Sequence, residues 1–154
     1  MSDLQIRIAT LHDLPILYAF EQGIVQAERP YNPTLKPDKI HYYDLAAYVA
    51  SEKVEVLVAT IDEKIVGSAY GKIKTSKAHE QHDQHAYLGF MYVKPEYRGQ
   101  GINRSLINAL IHWARRLNLK ELRLDVYSEN IAAIRAYEKA GFCPLLTEMR
   151  LELE

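Results

Sequence analysis

Two hydrophobic periodicities alternate along this chain, and together they predict a mixed α/β domain. Alternating apolar positions predict strands at about residues 6–8, 54–60, 65–74, 86–93, 122–126 and 149–153. Helical spacing predicts helices at about residues 11–28, 38–51, 102–118 and 130–140. The resulting order, β-α-α-β-β-β-α-β-α-β, indicates a twisted, mostly antiparallel sheet of six to seven strands with helices on both faces.

Local signals mark where these elements begin and end. Thr10 and Asp38 precede the first two helices as candidate N-caps, and three prolines within residues 30–37 predict an extended loop between those helices. Residues 61–64 predict a hairpin turn, and Gly141 can take the left-handed conformation that ends a helix. No repeat or composition change divides the chain, so residues 1–154 are predicted to form one domain.

Composition narrows the class of protein. With 154 residues, 48% of them hydrophobic, the chain can bury a core without a metal or a disulfide, and Cys143 has no cysteine with which to pair. A formal net charge of −1 gives no reason to expect binding to nucleic acid or to an acidic membrane. Residues 1–7 lack the pattern of a signal peptide, and no segment approaches the ~18 apolar residues of a spanning helix. The expectation is a cytoplasmic protein.

The candidate chemistry begins at the loop between the fourth strand and the third helix. Residues 93–103 read Val-Lys-Pro-Glu-Tyr-Arg-Gly-Gln-Gly-Ile-Asn. Such a loop points free backbone N–H groups and the positive end of a helix dipole at one place, which suits a phosphate or pyrophosphate. Glycine lets the backbone approach the anion closely.

Two familiar nucleotide-binding motifs do not fit this loop. A phosphate-binding loop of the nucleotide triphosphatases ends in Gly-Lys-Ser/Thr, whereas Gly101 is followed by Ile102 and Asn103. A dinucleotide-binding fingerprint follows the first strand of a βαβ unit, whereas this loop follows the fourth predicted strand. A nucleotide-binding protein of another type remains an alternative.

A second motif occupies the last predicted helix. Residues 126–142 place Asn130, Ala133 and Tyr137 at spacings i, i+3 and i+7, so the three share one helix face. A small residue between an amide and a phenol forms a groove that suits a slender ligand with polar and apolar parts.

The two motifs together resemble the GCN5-related N-acetyltransferases (GNAT), and the resemblance extends over essentially the whole chain. Val-x-Pro-x-Tyr-Arg-Gly-x-Gly-Ile is similar to that family's acyl-CoA loop, and Asn-x-x-Ala-x-x-x-Tyr-x-x-x-Gly-Phe to its second signature. The resemblance implies acetyl-CoA as cosubstrate, held in a V-shaped slot between splayed strands. The implied cofactor-binding residues are Met91, Tyr92 and Val93 beside the pantetheine arm, Arg98, Gly99, Gln100, Gly101, Ile102 and Asn103 at the pyrophosphate, and Asn130 with Tyr137.

The resemblance also implies a reaction, in which a primary amine of a small molecule or a protein attacks the thioester directly in a ternary complex. Tyr137 is the candidate general acid, because a phenol with a pKa of about 10 is protonated at neutral pH. The candidate oxyanion donor is the backbone N–H of Tyr92. Tyr87 and Gly89 occupy positions where family members often carry a glutamate, so the base is unassigned. A non-catalytic acyl-CoA-binding or sensing module of the same fold is therefore an alternative.

The remaining polar residues carry weaker expectations. Asn103 is expected to cap the third helix, and Arg104, Arg115 and Arg116 to be surface charges. The loop with His79, His82 and His85 is expected to be solvated, so no metal is predicted. A homodimer through the last strands is one option for the assembly. The residues expected to flank the acceptor are Glu21, Glu28, Tyr31, His41, Tyr42, Tyr43 and Asp44.

Overall fold

The computed structural model describes residues 3–154; residues 1 and 2, the start of the segment tested for a signal peptide, lie outside the described residues. The strands are β1 (Leu4–Ile8), β2 (Val54–Ile61), β3 (Lys64–Thr75), β4 (Gln84–Val93) and β5 (Leu122–Arg123). The helices are α1 (Leu14–Glu28), α2 (Leu45–Ala50), α3 (Ile102–Arg116) and α4 (Ile131–Lys139). No helix among these residues is long and apolar enough to cross a membrane.

The five strands form one sheet in the order β1-β2-β3-β4-β5, antiparallel except for the β4–β5 pair. Alternate residues of β2 point to opposite faces, so each face supports its own core. One core packs α3 against the sheet, with Leu57, Ala59, Leu106, Leu110 and Trp113 among its members. The other packs α1 and α2, with Val56, Val58, Leu17, Phe20 and Leu45 among its members. The predicted mixed sheet with helices on both faces is confirmed.

The hairpin predicted at residues 61–64 forms between β2 and β3. Its two central residues, Asp62 and Glu63, have φ angles of 50° and 68°. Positive φ at both positions is the backbone of a type I′ turn, whose twist matches that of the flanking strands. The turn sets the register of β2 against β3 at Ile61 and Lys64.

The second helix is shorter than its pattern predicts. It begins at Leu45, and Asp44 rather than Asp38 is its cap, with the Ala47 N–H donating to Asp44 Oδ1 at 3.3 Å. The predicted start is wrong because the backbone N–H groups of Tyr42 and Tyr43 donate to the Glu21 carboxylate, at 2.8 and 2.9 Å. These bonds hold the preceding segment against α1 in a non-helical conformation.

The end of the sheet also differs from expectation. The strand predicted at residues 122–126 is paired only at Leu122 and Arg123, and residues 149–153 form no strand. The sheet therefore has five strands rather than six or seven. A period-2 pattern favours a strand only where a neighbouring strand supplies backbone partners, and no described residue does so for residues 149–153.

Candidate functional site

A slot opens where β4 and β5 part. The two strands pair only at Ala86–Leu122 and Tyr87–Arg123, whereas β4 continues to Val93. Beyond Tyr87 the β5-facing edge of β4 has no strand neighbour among the described residues. The slot therefore presents unpaired backbone groups to anything that enters it. Its geometry is the splay implied by the resemblance.

A β-bulge bends β4 inside this slot. The β3–β4 register shifts between Ser68 and Tyr70, and Phe90 sits in the left-handed region at φ 58°. Ser68 Oγ donates a hydrogen bond of 3.0 Å to the Phe90 carbonyl, so the displaced peptide remains satisfied inside the core. Bulges change the direction of a strand and of its side chains. This one lies directly before Met91.

The register decides which backbone donors face the slot. Lys94 N–H donates to Val66 O at 2.8 Å, and Tyr92 is paired with Ser68 in the same register. Hydrogen-bonding directions alternate along an antiparallel strand, so Tyr92 N–H also points toward β3. The prediction of Tyr92 as the oxyanion donor is therefore wrong. The N–H groups of Met91 and Val93 face the slot instead.

The glycine loop has the backbone geometry its sequence predicts. Gly99 and Gly101 have φ angles of 78° and 83°, and open space surrounds the position of a Cβ at each. Among the described residues, nothing accepts a hydrogen bond from the backbone N–H groups of residues 99–103. Arg98 is an exception to the predicted set, because its N–H donates to Pro95 O at 3.3 Å. Its side chain instead donates from Nε to Val93 O at 2.8 Å.

The start of α3 lies directly after these glycines. Gly101 is the N-cap and no side chain within residues 3–154 caps the helix, so the first-turn N–H groups remain available. Asn103 lies inside the first turn, and the expectation that it caps the helix is wrong. The cap position falls on Gly101 because that residue carries the left-handed turn into the helix.

Helix α4 carries Asn130 at its cap and Tyr137 about two turns later. Asn130 caps this helix, its Oδ1 accepting from the Ala133 N–H at 3.3 Å, so only its amide N–H₂ remains for a ligand. Phe142 packs edge-on against the Tyr137 ring, at a centroid distance of 6.0 Å. Burial, assisted by the negative charge of Glu28, raises the pKa of Tyr137 to about 12. The phenol is therefore a proton donor at neutral pH.

Glu28 was expected only as one of seven residues flanking the acceptor, without a role of its own. It is the last residue of α1, half-buried, and burial raises the pKa of its carboxyl group. Tyr42 Oη is buried nearby without a hydrogen-bond partner among the described residues. The Glu28 charge also contributes to the raised pKa values of the phenols around it, those of Tyr42, Tyr43, Tyr87 and Tyr137. A carboxylate amid phenols is a candidate base.

The opposite wall joins the proline-rich loop to the segment after β5. Tyr87 Oη donates to Asp125 Oδ2 at 2.8 Å. Asn32 Nδ2 donates to Tyr127 Oη at 2.7 Å, and the Tyr31 and Tyr127 rings stack at 6.3 Å. These contacts join phenols and a second carboxylate across β4, the segment after β5 and the proline-rich loop.

The structure explains why the positions expected to hold a glutamate are not acidic. A Cβ built on Gly89 would lie 2.6 Å from Tyr70 Cζ, so the Tyr70 ring occupies the space that a glutamate side chain needs. Tyr87 hydrogen-bonds to Asp125. The carboxylates around the slot therefore come from other elements, Glu28 from α1 and Asp125 from the segment after β5.

Other predicted acceptor-side residues have structural contacts. Glu21 is fully buried and bonded to Tyr42, Tyr43 and His41, and Asp44 caps α2. His85 was expected in a solvated loop and is instead a buried residue of β4. Its Nδ1 lies 2.8 Å from Ser76 Oγ, and burial lowers the pKa of its imidazole. Within residues 3–154 no group of three metal-binding side chains occurs.

The comparison with protein families agrees with this geometry. The sequence model of the acetyltransferase (GNAT) family matches residues 21–142, well over half of the chain. The protein therefore belongs to the GNAT family, as the two motifs indicate.

Individual relatives share parts of the sequence. N-alpha-acetyltransferase 30 of Schizosaccharomyces pombe is 29% identical over 86 residues, 56% of this chain and 55% of the relative. A spermine/spermidine N(1)-acetyltransferase of Bacillus subtilis is 33% identical over 57 residues, 36% of this chain and 38% of the relative. The matched segments thus cover about half or less of these relatives.

Solved structures match over nearly the whole length. The tetramutant of the BH1408 protein from Bacillus halodurans has a TM-score of 0.85 at 24% identity, covering 97% of this chain and 99% of the other. A predicted acetyltransferase from Clostridium acetobutylicum, solved with acetyl-CoA, has a TM-score of 0.73 at 19% identity, covering 99% and 96%. At these identities the likeness establishes the fold.

Proposed function

We propose that this protein is an N-acetyltransferase that transfers the acetyl group of acetyl-CoA to a primary amine. The observation that carries the proposal is the alignment of two sets of free backbone donors along one slot. Met91 and Val93 face the opening between β4 and β5, and the N–H groups of residues 99–103 converge at the start of α3. The first set suits the amides of pantetheine and the second suits a pyrophosphate.

The reaction follows from the groups around the slot. The amine nitrogen attacks the thioester carbonyl, the new N–C bond forms and the C–S bond breaks. The N–H of Met91, at the bulge, stabilises the charge that develops on the carbonyl oxygen. Tyr137 donates its proton to the departing thiolate, and the proton that the nitrogen loses as the amide forms returns to the phenolate.

Glu28 completes the proton balance as the base. The acceptor must lose a proton to become a nucleophile. Glu28 is a half-buried carboxylate, and burial raises its pKa and so makes it a stronger base than an exposed glutamate. Tyr42 and Tyr137 lie within the reach of its charge. We assign the proton transfer to Glu28, directly or through one water.

The acceptor side favours a small cationic amine. Glu28 and Asp125 supply two carboxylates, Tyr87 hydrogen-bonds to Asp125, and the rings of Tyr31 and Tyr127 stack on each other. Carboxylates and aromatic faces both attract ammonium groups. A relative of this chain is a spermine/spermidine acetyltransferase, which makes polyamines the first acceptors to test.

The alternative, a non-catalytic acyl-CoA-binding module, was motivated by the missing acid at Tyr87 and Gly89. Glu28 and Asp125 bring carboxylates to the same region, which favours the enzyme. Consumption of acetyl-CoA with spermidine and other primary amines distinguishes the two. Binding of acetyl-CoA without turnover across a broad panel of amines would support the binding module.

Cofactor binding has its own test, by calorimetric titration with acetyl-CoA. Gln100→Glu adds a negative charge to an exposed loop residue beside the proposed pyrophosphate site, and affinity should fall several-fold. Gln5→Glu makes the same change at an exposed residue of β1 and should leave affinity unchanged. No binding by the parent protein at high micromolar acetyl-CoA, or equal effects of the two variants, contradicts the proposed site.

A further inference from the structure

Within residues 3–154, one buried side-chain oxygen has no hydrogen-bond partner. It is Oη of Tyr42, in the segment that leads into α2. A hydroxyl that is buried without a partner loses its hydrogen bonds to water and gains none in exchange. Native structures therefore contain few such atoms, and each one points to a ligand, an ordered water or a functional role.

Packing fixes the position of this hydroxyl. The backbone N–H of Tyr42 donates to Glu21 Oε2 at 2.8 Å, and its ring packs edge-on against the Tyr43 ring at a centroid distance of 5.7 Å. The Tyr43 ring in turn packs edge-on against Phe90, the residue at the bulge of β4, at 5.4 Å. Tyr42 is therefore held between α1 and the strand that borders the slot.

The groups around this hydroxyl belong to the proposed acceptor side. Burial raises the pKa of Tyr42, and the negative charge of Glu28 raises it further. Burial likewise raises the pKa of Glu28, whereas the phenol of Tyr42 lowers it. The two groups are therefore close neighbours, although among the described residues no direct hydrogen bond joins them. A nitrogen atom that enters between them can donate hydrogen bonds to both.

We propose that Tyr42 Oη accepts a hydrogen bond from the attacking nitrogen of the acceptor, and that this contact makes the site selective for primary over secondary amines. The inference rests on the proposed function and names the class of amine. The hydroxyl of Tyr42 stays protonated at neutral pH, because its pKa is raised. Its oxygen therefore acts as a hydrogen-bond acceptor for an N–H group and not as the base.

The proton balance of the reaction identifies this N–H group. A primary ammonium group carries three N–H bonds. The first proton passes to Glu28 before the attack, and the second leaves the nitrogen as the amide forms and returns to the phenolate of Tyr137. The third N–H remains in the product amide, so it can donate to Tyr42 Oη throughout the reaction.

A secondary amine lacks this third N–H group. Both of its N–H bonds are lost during the reaction, and a carbon atom faces Tyr42 Oη in place of the third. The hydroxyl then stays buried and unpaired in the transition state. A site built to hydrogen-bond an N–H group of its substrate rejects an analogue without that group, because its own polar atom is left unpaired.

Thermal unfolding of Tyr42→Phe tests whether the hydroxyl has a role in the fold. The substitution removes the hydroxyl and keeps the ring with its contact to Tyr43. Because Oη has no partner within the described residues, the melting temperature of the free protein should stay the same or rise. A clear fall in melting temperature would show that the hydroxyl serves the fold, which overturns the proposal.

Steady-state kinetics with a matched pair of acceptors tests the contact itself. The pair is the best primary amine of the acceptor panel, with spermidine tried first, and its derivative methylated on every primary nitrogen. Tyr42→Phe should lower the preference for the primary amine, measured as the ratio of the two kcat/KM values, by about 10-fold. The KM for acetyl-CoA should not change. Tyr18→Phe, the same change at an exposed tyrosine of α1, should leave the preference unchanged.

The outcomes separate this inference from the proposed function. No turnover of any primary amine by the parent protein would contradict the proposed function, and the inference with it. Turnover with the same preference in the parent protein and in Tyr42→Phe would overturn the inference alone. An equal loss of turnover with both amines would also overturn it, because Tyr42 would then act through Glu28 and not on the nitrogen.

Discussion

Two glutamates lie on the same face of helix α1, but their surroundings in the structure are opposite. Glu21 and Glu28 are seven residues apart, about two turns, and so lie on the same face of the helix. Glu21 has no accessible surface, and its carboxylate accepts from Tyr42 N–H and Tyr43 N–H and lies 2.9 Å from His41 Nδ1. Glu28 faces phenols, and burial raises the pKa of its carboxyl group.

The difference shows how a buried carboxylate becomes structural or reactive. Backbone donors satisfy the Glu21 charge and connect the segment before α2 to α1. Glu21 therefore has a structural role. Among the described residues no backbone N–H donates to Glu28, and burial disfavours its charged form, which favours proton acceptance. Substitution of Glu21 should therefore lower stability, and substitution of Glu28 should lower turnover.

The largest effect is expected at Tyr137, the proposed acid. Tyr137→Phe removes the proposed proton donor, and turnover should fall about 10³-fold. The ring and its contact with Phe142 remain, so acetyl-CoA affinity should be unchanged by calorimetry. Unchanged turnover would remove Tyr137 from the reaction.

A loss of stability is expected at Glu21. Glu21→Ala leaves the buried N–H groups of Tyr42 and Tyr43 without their acceptor, and the free energy of unfolding should fall by about 3 kcal/mol. Denaturant titration measures this change. Turnover below the unfolding transition should change far less than in Glu28→Gln, and a reversed ranking would contradict the division of roles.

The matching variant Glu28→Gln should lower turnover about 100-fold. It should not lower stability, because a carboxyl whose pKa is raised on folding makes the folded state lose stability as pH rises through that range. Removing the charge therefore preserves or raises the melting temperature at neutral pH. A large loss of melting temperature in this variant would show that Glu28 is a structural residue.

The pH dependence of kcat/KM tests whether Glu28 is the base. In the parent protein kcat/KM should rise with pH through the raised pKa of Glu28, because the base must be ionised to accept a proton. In Glu28→Gln this rise should disappear, with the residual rate following the ionisation of the acceptor alone. A pH profile of the same shape in both proteins would assign the base to another group.

The smallest effect is expected at His41. His41→Ala removes one of three contacts to Glu21, and the His41 side chain is 56% exposed. The free energy of unfolding should fall by less than about 1 kcal/mol, because the two backbone donors remain. A loss as large as that of Glu21→Ala would show that His41 rather than the backbone holds the carboxylate.

Most of the fold was predictable because the apolar face of each periodic segment packs against a neighbouring element. The α3 stripe of Leu106, Leu110 and Trp113 packs onto the sheet as its spacing predicts. The strand predicted at residues 149–153 does not form, since no strand among the described residues pairs with it. The start of α2 fails because hydrogen bonds from residues 42 and 43 to Glu21 compete with helix formation.

Some residues of the site were also predictable from the sequence and others were not. Gly99 and Gly101 were identified from sequence because their role depends on local backbone angles, and those angles are found. Glu28 was not distinguished from Glu21, since the difference lies in partners that come from distant parts of the chain. The choice between Tyr92 and Met91 as a backbone donor also required the register of β3 against β4.

By itself the sequence determined the family, the order of helices and strands, and the loop that presents free N–H groups, because these depend on residues close together in the chain. The tertiary structure alone decided which carboxylate is satisfied and which is left amid phenols, and which backbone groups face the slot. The reason is physical: the pKa of a side chain and the availability of an N–H group depend on the dielectric and the partners around them, which only the packed chain provides.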